Sequence, residues 1–206
     1  DPTQTPGENA QRYFAKYNKQ KRTFEALTEL IQETADDIQY LESISNALDI
    51  ALSEADLAQI KEELMQSGYI RRKHTKKKVK LTSKPMHYIS SDGYDMFVGK
   101  NNLQNEELTF SFANGNDWWF HAKGAPGSHV IVKSGGNELP DRTFEEAGRL
   151  AAYYSKNRGA DKVEIDYIQK KHVKKPNGAK PGFVVYYTNY SLVIDSDISN
   201  IKNVQD

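Results

Sequence analysis

Apolar residues recur every three or four positions from residue 9 to residue 52, at Tyr13, Tyr17, Phe24, Leu27, Ile31, Ile38, Leu41, Leu48 and Leu52. That spacing predicts one long helix with a single apolar stripe. Gln20, Thr34 and Ser45 fill the remaining seam positions, which makes the pattern that of a coiled coil. Pro and Gly stand ahead of the segment and neither occurs within it. At 1.5 Å per residue the helix would be about 65 Å long. A helix of that length cannot bury its whole stripe against a small domain, so another helix or a second chain is expected to pair with it. A second amphipathic helix is predicted over residues 54–66, with Leu57, Ile60 and Leu64 on one face and Gly68 as its stop.

From about residue 85 the period changes from that of helices to that of strands. Met86–Ser90 and Tyr94–Val98 alternate around Ser91-Asp92-Gly93 and predict a β-hairpin. Asn102–Phe112 reads as a helix. Trp118–His121 and His129–Lys133 read as strands joined by a Gly-Ala-Pro-Gly-Ser turn. Thr143–Lys156 has helical spacing through Phe144, Ala147, Leu150, Ala151 and Tyr154. Lys162–Gln169, Gly182–Thr188 and Ser191–Ile194 are further predicted strands. The fold class is therefore α+β: a long coiled-coil helix followed by a mixed, largely antiparallel sheet domain with flanking helices. The expected divisions are a helical segment at 1–67, a basic linker at 68–84 and the α+β domain at 85–206.

Charge sharpens that division. The 206 residues carry 28 Lys+Arg and 28 Asp+Glu, a net of zero. Residues 1–67 hold 6 basic and 13 acidic residues, a net of −7, and residues 68–206 carry the balancing +7. The second part is thus the candidate for contact with a polyanion. Seven of the ten residues in Arg71-Arg72-Lys73-His74-Thr75-Lys76-Lys77-Lys78-Val79-Lys80 are Lys or Arg, a run expected to self-repel as a linker. There is no cysteine, which excludes disulfides and thiolate metal sites and suits a reducing cytoplasm. No apolar run approaches the roughly 20 residues that span a bilayer. The first residues lack both an initiator Met and the basic and apolar parts of a signal peptide, so the chain reads as a piece of a longer protein.

The densest chemistry lies in Asp117-Trp118-Trp119-Phe120-His121-Ala122-Lys123-Gly124-Ala125-Pro126-Gly127-Ser128-His129. Asp117, His121 and His129 are residue types that bind zinc or manganese, but their spacing matches no compact metal motif. Ser128 and His129 are neighbours on a predicted strand, so their side chains diverge and do not form a nucleophile–base pair. The Gly-Ala-Pro-Gly-Ser turn either shapes the chain or also offers backbone amides to a phosphate. Of two consecutive Trp, one is expected in the core and the other at the surface or sheet rim. Two buried aromatics in a bent strand are the alternative. The amides of Asn101, Asn102, Gln104 and Asn105 suit either a structural network or the reading of RNA edges. Lys170, Lys171, Lys174, Lys175 and Lys180 flank a Pro/Gly loop and suit phosphate contact.

Four ordered motifs resemble one family. Asp117-x-Trp119-Phe120-His121-x-Lys123-x-x-Pro126-Gly127-Ser128-His129 resembles the signature of the NFACT-R domain. So do Gly99-Lys100-Asn101-Asn102-x-Gln104-Asn105-Glu106 and Val173-Lys174-Lys175-Pro176-x-Gly178-Ala179-Lys180-Pro181-Gly182. Upstream, Asp1-Pro2-x-x-Thr5-Pro6-x-Glu8-Asn9-Ala10-Gln11-x-Tyr13-Phe14-x-Lys16-Tyr17 is similar to the family's second coiled-coil helix. Trp118 and Gly124-Ala125 depart from the family's usual aliphatic residue and Asp-aliphatic pair.

The resemblance implies a factor of ribosome quality control that binds stalled large ribosomal subunits and recruits tRNA for template-free alanine tailing. It also implies that an NFACT-N domain, a helix-hairpin-helix region and a first coiled-coil helix precede residue 1. The expected role is non-enzymatic binding of RNA and the ribosome, without cofactor or metal, in the cytoplasm. The candidate RNA-binding residues are Lys100, Asn101, Asn102, Trp119, His121, Lys123, His129, Lys174, Lys175 and Lys180. Lys would neutralise phosphate, Asn would hydrogen-bond, and Trp or His would stack. Family members are also described as fibronectin-binding adhesins, so a fibronectin-binding fragment is the second reading, which leaves a cell-surface location open. Self-association through the unpaired helix at residues 13–52 is a further expectation, and a metal-dependent hydrolase using Asp117, His121 and His129 is a third reading.

Overall fold

A computed structural model describes residues 1–71 and 82–204. The expected basic linker at 68–84 lies, for residues 72–81, outside the described residues. Helix α1 runs from Pro6 to Ile50. Pro6 stands in its first turn, where a missing N–H costs nothing. Thr5 and Glu8 close a reciprocal cap: the Thr5 amide donates to Glu8 Oε2 at 2.8 Å and the Glu8 amide donates to Thr5 Oγ1 at 3.3 Å. The chain separates into two compact units, residues 1–41 and 42–206. In the first, the apolar stripe lies open: Tyr13, Phe24, Leu27 and Ile31 are each at least half exposed.

The second unit begins with the last turns of α1 and continues through helix α2 (Glu54–Gln66). Ser53 caps α2 in a capping box with Asp56. Gly68 follows at φ 81°, as a helix stop requires. The predicted apolar face of α2 is only partly present. Ile60 is buried but Leu57 is exposed, and the buried positions are otherwise Asp56, Gln59 and Glu63. They are polar because α2 faces a cluster of amide side chains rather than an apolar surface.

Seven strands form one sheet, β1 (Met86–Ile89), β2 (Asp95–Val98), β3 (Trp118–Ala122), β4 (Val130–Val132), β5 (Val163–Gln169), β6 (Tyr190–Ile194) and β7 (Lys202–Asn203). Their order is β6-β5-β3-β4-β2-β1-β7, and every neighbouring pair is antiparallel. The predicted helix at 102–112 is α3 (Asn102–Glu107) continued by a π-helical turn, Leu108–Phe112. Helix α4 spans Asp141–Tyr153.

Because side chains alternate along a strand, the sheet has two apolar faces. Met96, Val98, Phe120, Ala122, Val130 and Val132 meet Ala147, Leu150 and Ala151 of α4. Trp119, Ile131 and Ile168 point the other way and meet Leu108, Ala113 and Val173. A Cβ on Gly148 of α4 would lie 2.9 Å from Leu192 Cδ1, so the glycine permits close approach to β6. Trp118 and Trp119 divide between the two faces. Trp119 is buried in the second core, and Trp118 packs half-buried against Phe144 with ring centroids 4.8 Å apart.

Residues 182–188 do not form the predicted strand. Their pairing is a single bridge between Val185 and Lys174, because Val184 and Tyr186 turn inward to cover the second core. Strand β7, which pairs with β1, has no pattern of its own in the sequence.

Candidate nucleic-acid interface

The segment Gly99 to Glu106 is a junction of buried amides. Asn101 caps α3, its Oδ1 accepting from the Gln104 amide at 2.9 Å, and its Nδ2 donates to Gln59 Oε1 at 2.8 Å. Asn102 Nδ2 donates to Ser43 Oγ at 2.7 Å and Glu63 Oε1 at 2.8 Å. Gln104 Nε2 donates to Gln59 Oε1 and Ser83 Oγ, and its Oε1 accepts from the Lys100 amide. Asn105 Oδ1 accepts from the His129 amide at 2.9 Å. Lys100 Nζ donates to Asp56 Oδ1 at 3.2 Å. Burial pushes the Asp56 carboxyl up, but bonds from Ser83, the Leu52 amide, Ser53 and Lys100 outweigh it and hold it below its usual range. Asn101 and Asn102 are thus interior scaffold in this conformation, and Lys100 is tied to that scaffold.

The junction also grips the basic loop. Lys175 Nζ donates to both oxygens of Glu106 at 2.8 and 2.7 Å, and the Gly182 amide donates to Glu106 Oε2 at 3.2 Å. Gly182 sits at φ 77°, and a Cβ there would lie 2.9 Å from Asn102 Cβ. Glycine is required at this position for both reasons. Lys180 Nζ donates to Tyr69 Oη at 2.9 Å. Lys171 and Lys174 remain exposed. Glu106 was visible in the motif, but its role as a clamp needed the three-dimensional approach of residues 175 and 182.

Trp119, His121 and His129 form a second cluster. Trp119 is 0% exposed, with its ring centroid 5.6 Å from His121, 5.1 Å from His129 and 4.9 Å from Tyr186. His129 Nδ1 donates to the Asn105 carbonyl oxygen at 3.2 Å and lies 2.8 Å from Thr109 Oγ1. Burial pushes the His121 imidazole down to about 4, against the smaller opposing pull of a Gly127 backbone bond and the Asp166 charge. Burial and the His121 neighbour push His129 well below the usual histidine value. Both rings are therefore neutral near pH 7 and carry no charge for phosphate. Sequence inspection does not reveal Asp166 as a member of this cluster, yet it accepts from Tyr186 Oη at 2.9 Å and Ser191 Oγ at 2.6 Å.

Asp117 belongs to a different corner. Its carboxylate accepts from the Asn114 amide, Lys133 Nζ and the Ser134 amide, at 2.7, 2.5 and 3.1 Å. Among the described residues, no three His, Cys, Asp or Glu side chains are placed to hold a metal ion. Lys123 is exposed and pairs with Glu164 at 2.5 Å, the bond that raises its affinity for its proton. Of the ten candidates, the structure brings Lys174, Lys175 and Lys180 onto one loop and Trp119, His121 and His129 into one cluster. Lys123 stands apart from the basic loop, on the turn after β3. Among the described residues, no helix is long and apolar enough to cross a membrane.

The antiparallel α+β domain thus fronts a buried amide scaffold with a clamped lysine loop. Residues 84–188 match the model described as the NFACT protein RNA binding domain, and residues 1–83 match the NFACT N-terminal and middle domains. The chain belongs to the NFACT family. It is 44% identical, over its whole length, to the protein named Rqc2 homolog RqcH from Streptococcus pneumoniae, of which it covers 37%. The protein of that name from Bacillus subtilis is 40% identical over 98% of the chain, which covers 35% of it. The chain thus spans little more than a third of the curated relatives it matches. A solved structure, the C-terminal part of the fibronectin/fibrinogen-binding protein from Streptococcus suis, superposes with a TM-score of 0.85 at 43% identity. That match covers 95% of this chain and 78% of the other.

Proposed function

We propose that this chain is the RNA- and ribosome-binding part of a ribosome-quality-control factor, acting in the cytoplasm on stalled large subunits and tRNA in support of template-free alanine tailing. The observation that carries the reading is the basic loop at 170–182. Its lysines are presented at the surface while Glu106 and Asn102 fix its path. The NFACT RNA-binding match and relatives named RqcH point the same way. Its role is to bind rather than to catalyse: the Asp117 carboxylate and the His129 ring, which a hydrolytic reading would use, are engaged in bonds that shape the fold. Within the ten candidates, Lys123, Lys174, Lys175 and Lys180 contact phosphate directly, and Lys100 is held in the scaffold by Asp56. Asn101, Asn102, Trp119, His121 and His129 act by holding the surface in shape.

The test is equilibrium binding of tRNA and of large subunits across a salt series. Affinity is expected to fall log-linearly with salt. A Lys174→Ala/Lys175→Ala/Lys180→Ala variant is expected to weaken binding and to flatten the salt slope by about 2. An unchanged slope would remove the basic loop from the interface.

A second reading has one specific observation behind it. Strand β6 is an edge of the sheet with Tyr190 and Val193 exposed, a template on which an extended partner segment could add a strand. Combined with the name of the Streptococcus suis protein, this supports fibronectin binding by the same fragment. Binding to purified fibronectin at physiological salt that survives nuclease treatment would establish it.

A further inference from the structure

The second face of the sheet carries one continuous row of side chains. Register places His87 opposite Phe97, Phe97 opposite Ile131, Ile131 opposite Trp119 and Trp119 opposite Ile168. Most of this row is sealed beneath Leu108, Ala113 and Val173. At the β1–β2 end the cover stops, and a cavity of about 300 Å³ opens between the strands and the π-helical turn. Its lining is Lys84, Pro85, His87 and Phe97 on one side and Glu107, Leu108 and Phe112 on the other, with Lys84 and Glu107 as its charged members.

Three features make this a shaped slot. The His87 and Phe97 rings are parallel within 6°, with centroids 4.5 Å apart, and His87 Nε2 is held by Asp95 Oδ1 at 2.7 Å. The π-helical turn closes with the Ala113 amide donating to the Leu108 carbonyl at 2.9 Å. Its extra residue brings Phe112 edge-on to Phe97, centroids 4.7 Å apart. Lys133 then pins Phe112, its Nζ lying 4.8 Å from the ring centroid. Phe112 nevertheless remains 42% exposed. A rigid aromatic wall left open to solvent, with a cation at its rim, suits a flat, weakly polar group joined to an anion.

We propose that this slot takes one unstacked base of single-stranded RNA, with guanine favoured. The proposal rests on the RNA-binding reading above and extends it to a site lined by none of the lysines of the basic loop. The rings supply a stacking surface that any base can use. Lys84 faces the adjoining phosphate. Glu107 sets the preference, because a carboxylate only accepts hydrogen bonds. Guanine offers two adjacent donors on its Watson–Crick edge, N1–H and the N2 amino group, which match two carboxylate oxygens. Adenine and cytosine offer only an exocyclic amine there, and uracil presents a single N–H between two carbonyls that repel the carboxylate.

The test uses the chain as it stands, with hexameric RNAs that differ only in one central base. Wild-type protein is expected to bind the guanine-containing hexamer about tenfold more tightly than the uracil one. His87→Ala and Phe112→Leu are each expected to lose about tenfold in affinity at an unchanged salt slope. Phe112→Leu keeps apolar bulk at an exposed position, so it remains informative if His87→Ala unfolds. Glu107→Gln is expected to abolish the guanine preference. Wild-type affinity in both ring variants, with loss only in the lysine triple variant, would overturn the slot and leave the RNA-binding reading standing. If no RNA binds at all, titration with GMP against UMP separates the two ideas. GMP-selective shifts of the Phe97 and Phe112 resonances would retain the slot while the RNA reading fails. Their absence, or shifts caused only by a tyrosine-containing peptide, would overturn the slot.

Discussion

At the residue scale, the two histidines illustrate how position decides chemistry. An imidazole at the surface would be partly cationic near pH 6.5. His121 and His129 are instead held neutral by burial, so the unfolded chain binds more protons than the folded one between pH 6.5 and 4. Stability is therefore full above pH 6.5 and falls as the pH drops towards 4, by about 3 kcal/mol for His121 alone. Urea denaturation at pH 7.5, 6 and 5 should show this fall, and His121→Phe should flatten it if the ring is accommodated. Gly182 makes a second residue-level case. Gly182→Ala places a Cβ against Asn102 at a backbone conformation that L residues avoid. A loss of about 1–2 kcal/mol in stability is expected, together with weaker RNA binding as the loop shifts.

Among the elements, the junction of α2 and α3 depends on caps and amides more than on apolar burial. Ser53→Ala should cost about 1 kcal/mol by removing the α2 cap, measurable as a drop in the denaturation midpoint. The long helix, the hairpin around Ser91-Asp92-Gly93, α4 and most strands were legible in the sequence, because periodicity and turn chemistry are local signals. Residues 182–188 were not: their alternation resembles that of a strand, but it serves to put Val184 and Tyr186 over a core that only the folded sheet creates. The face of α2 was misread for the same reason. Its buried Asp56, Gln59 and Glu63 look like solvated positions until the amides of α3 are placed opposite them. The candidate site was legible as a set of motifs and not as a division of labour. Nothing local to Asn101, Trp119 or His129 distinguishes a residue that touches RNA from one that shapes the surface beneath it. The slot at Phe97 and Phe112 lies outside the matched motifs, and it exists because a π-helical turn adds one residue to α3's continuation.

For the whole molecule, the two parts of the sequence carry opposite charge. The segment before residue 68 carries a net −7, which disfavours contact with phosphate, while its stripe from Tyr13 to Ile38 is open to solvent. An exposed stripe of that length favours pairing with another helix. Sedimentation equilibrium at tens of micromolar should therefore show self-association, and Leu27→Lys/Ile31→Lys should return the chain to a monomer. A monomer at all concentrations in the unaltered chain would overturn this expectation.

The Glu106 clamp gives the basic-loop surface an uncommon sign rule. By simple charge counting, removing an acid from a surface that meets phosphate should tighten binding. Glu106, however, holds Lys175 and the Gly182 amide at once, and its loss unfastens the loop while freeing one positive charge. Glu106→Ala should therefore steepen the dependence on salt and yet bind RNA more weakly at physiological salt. On this surface, the arrangement of charge outweighs its amount.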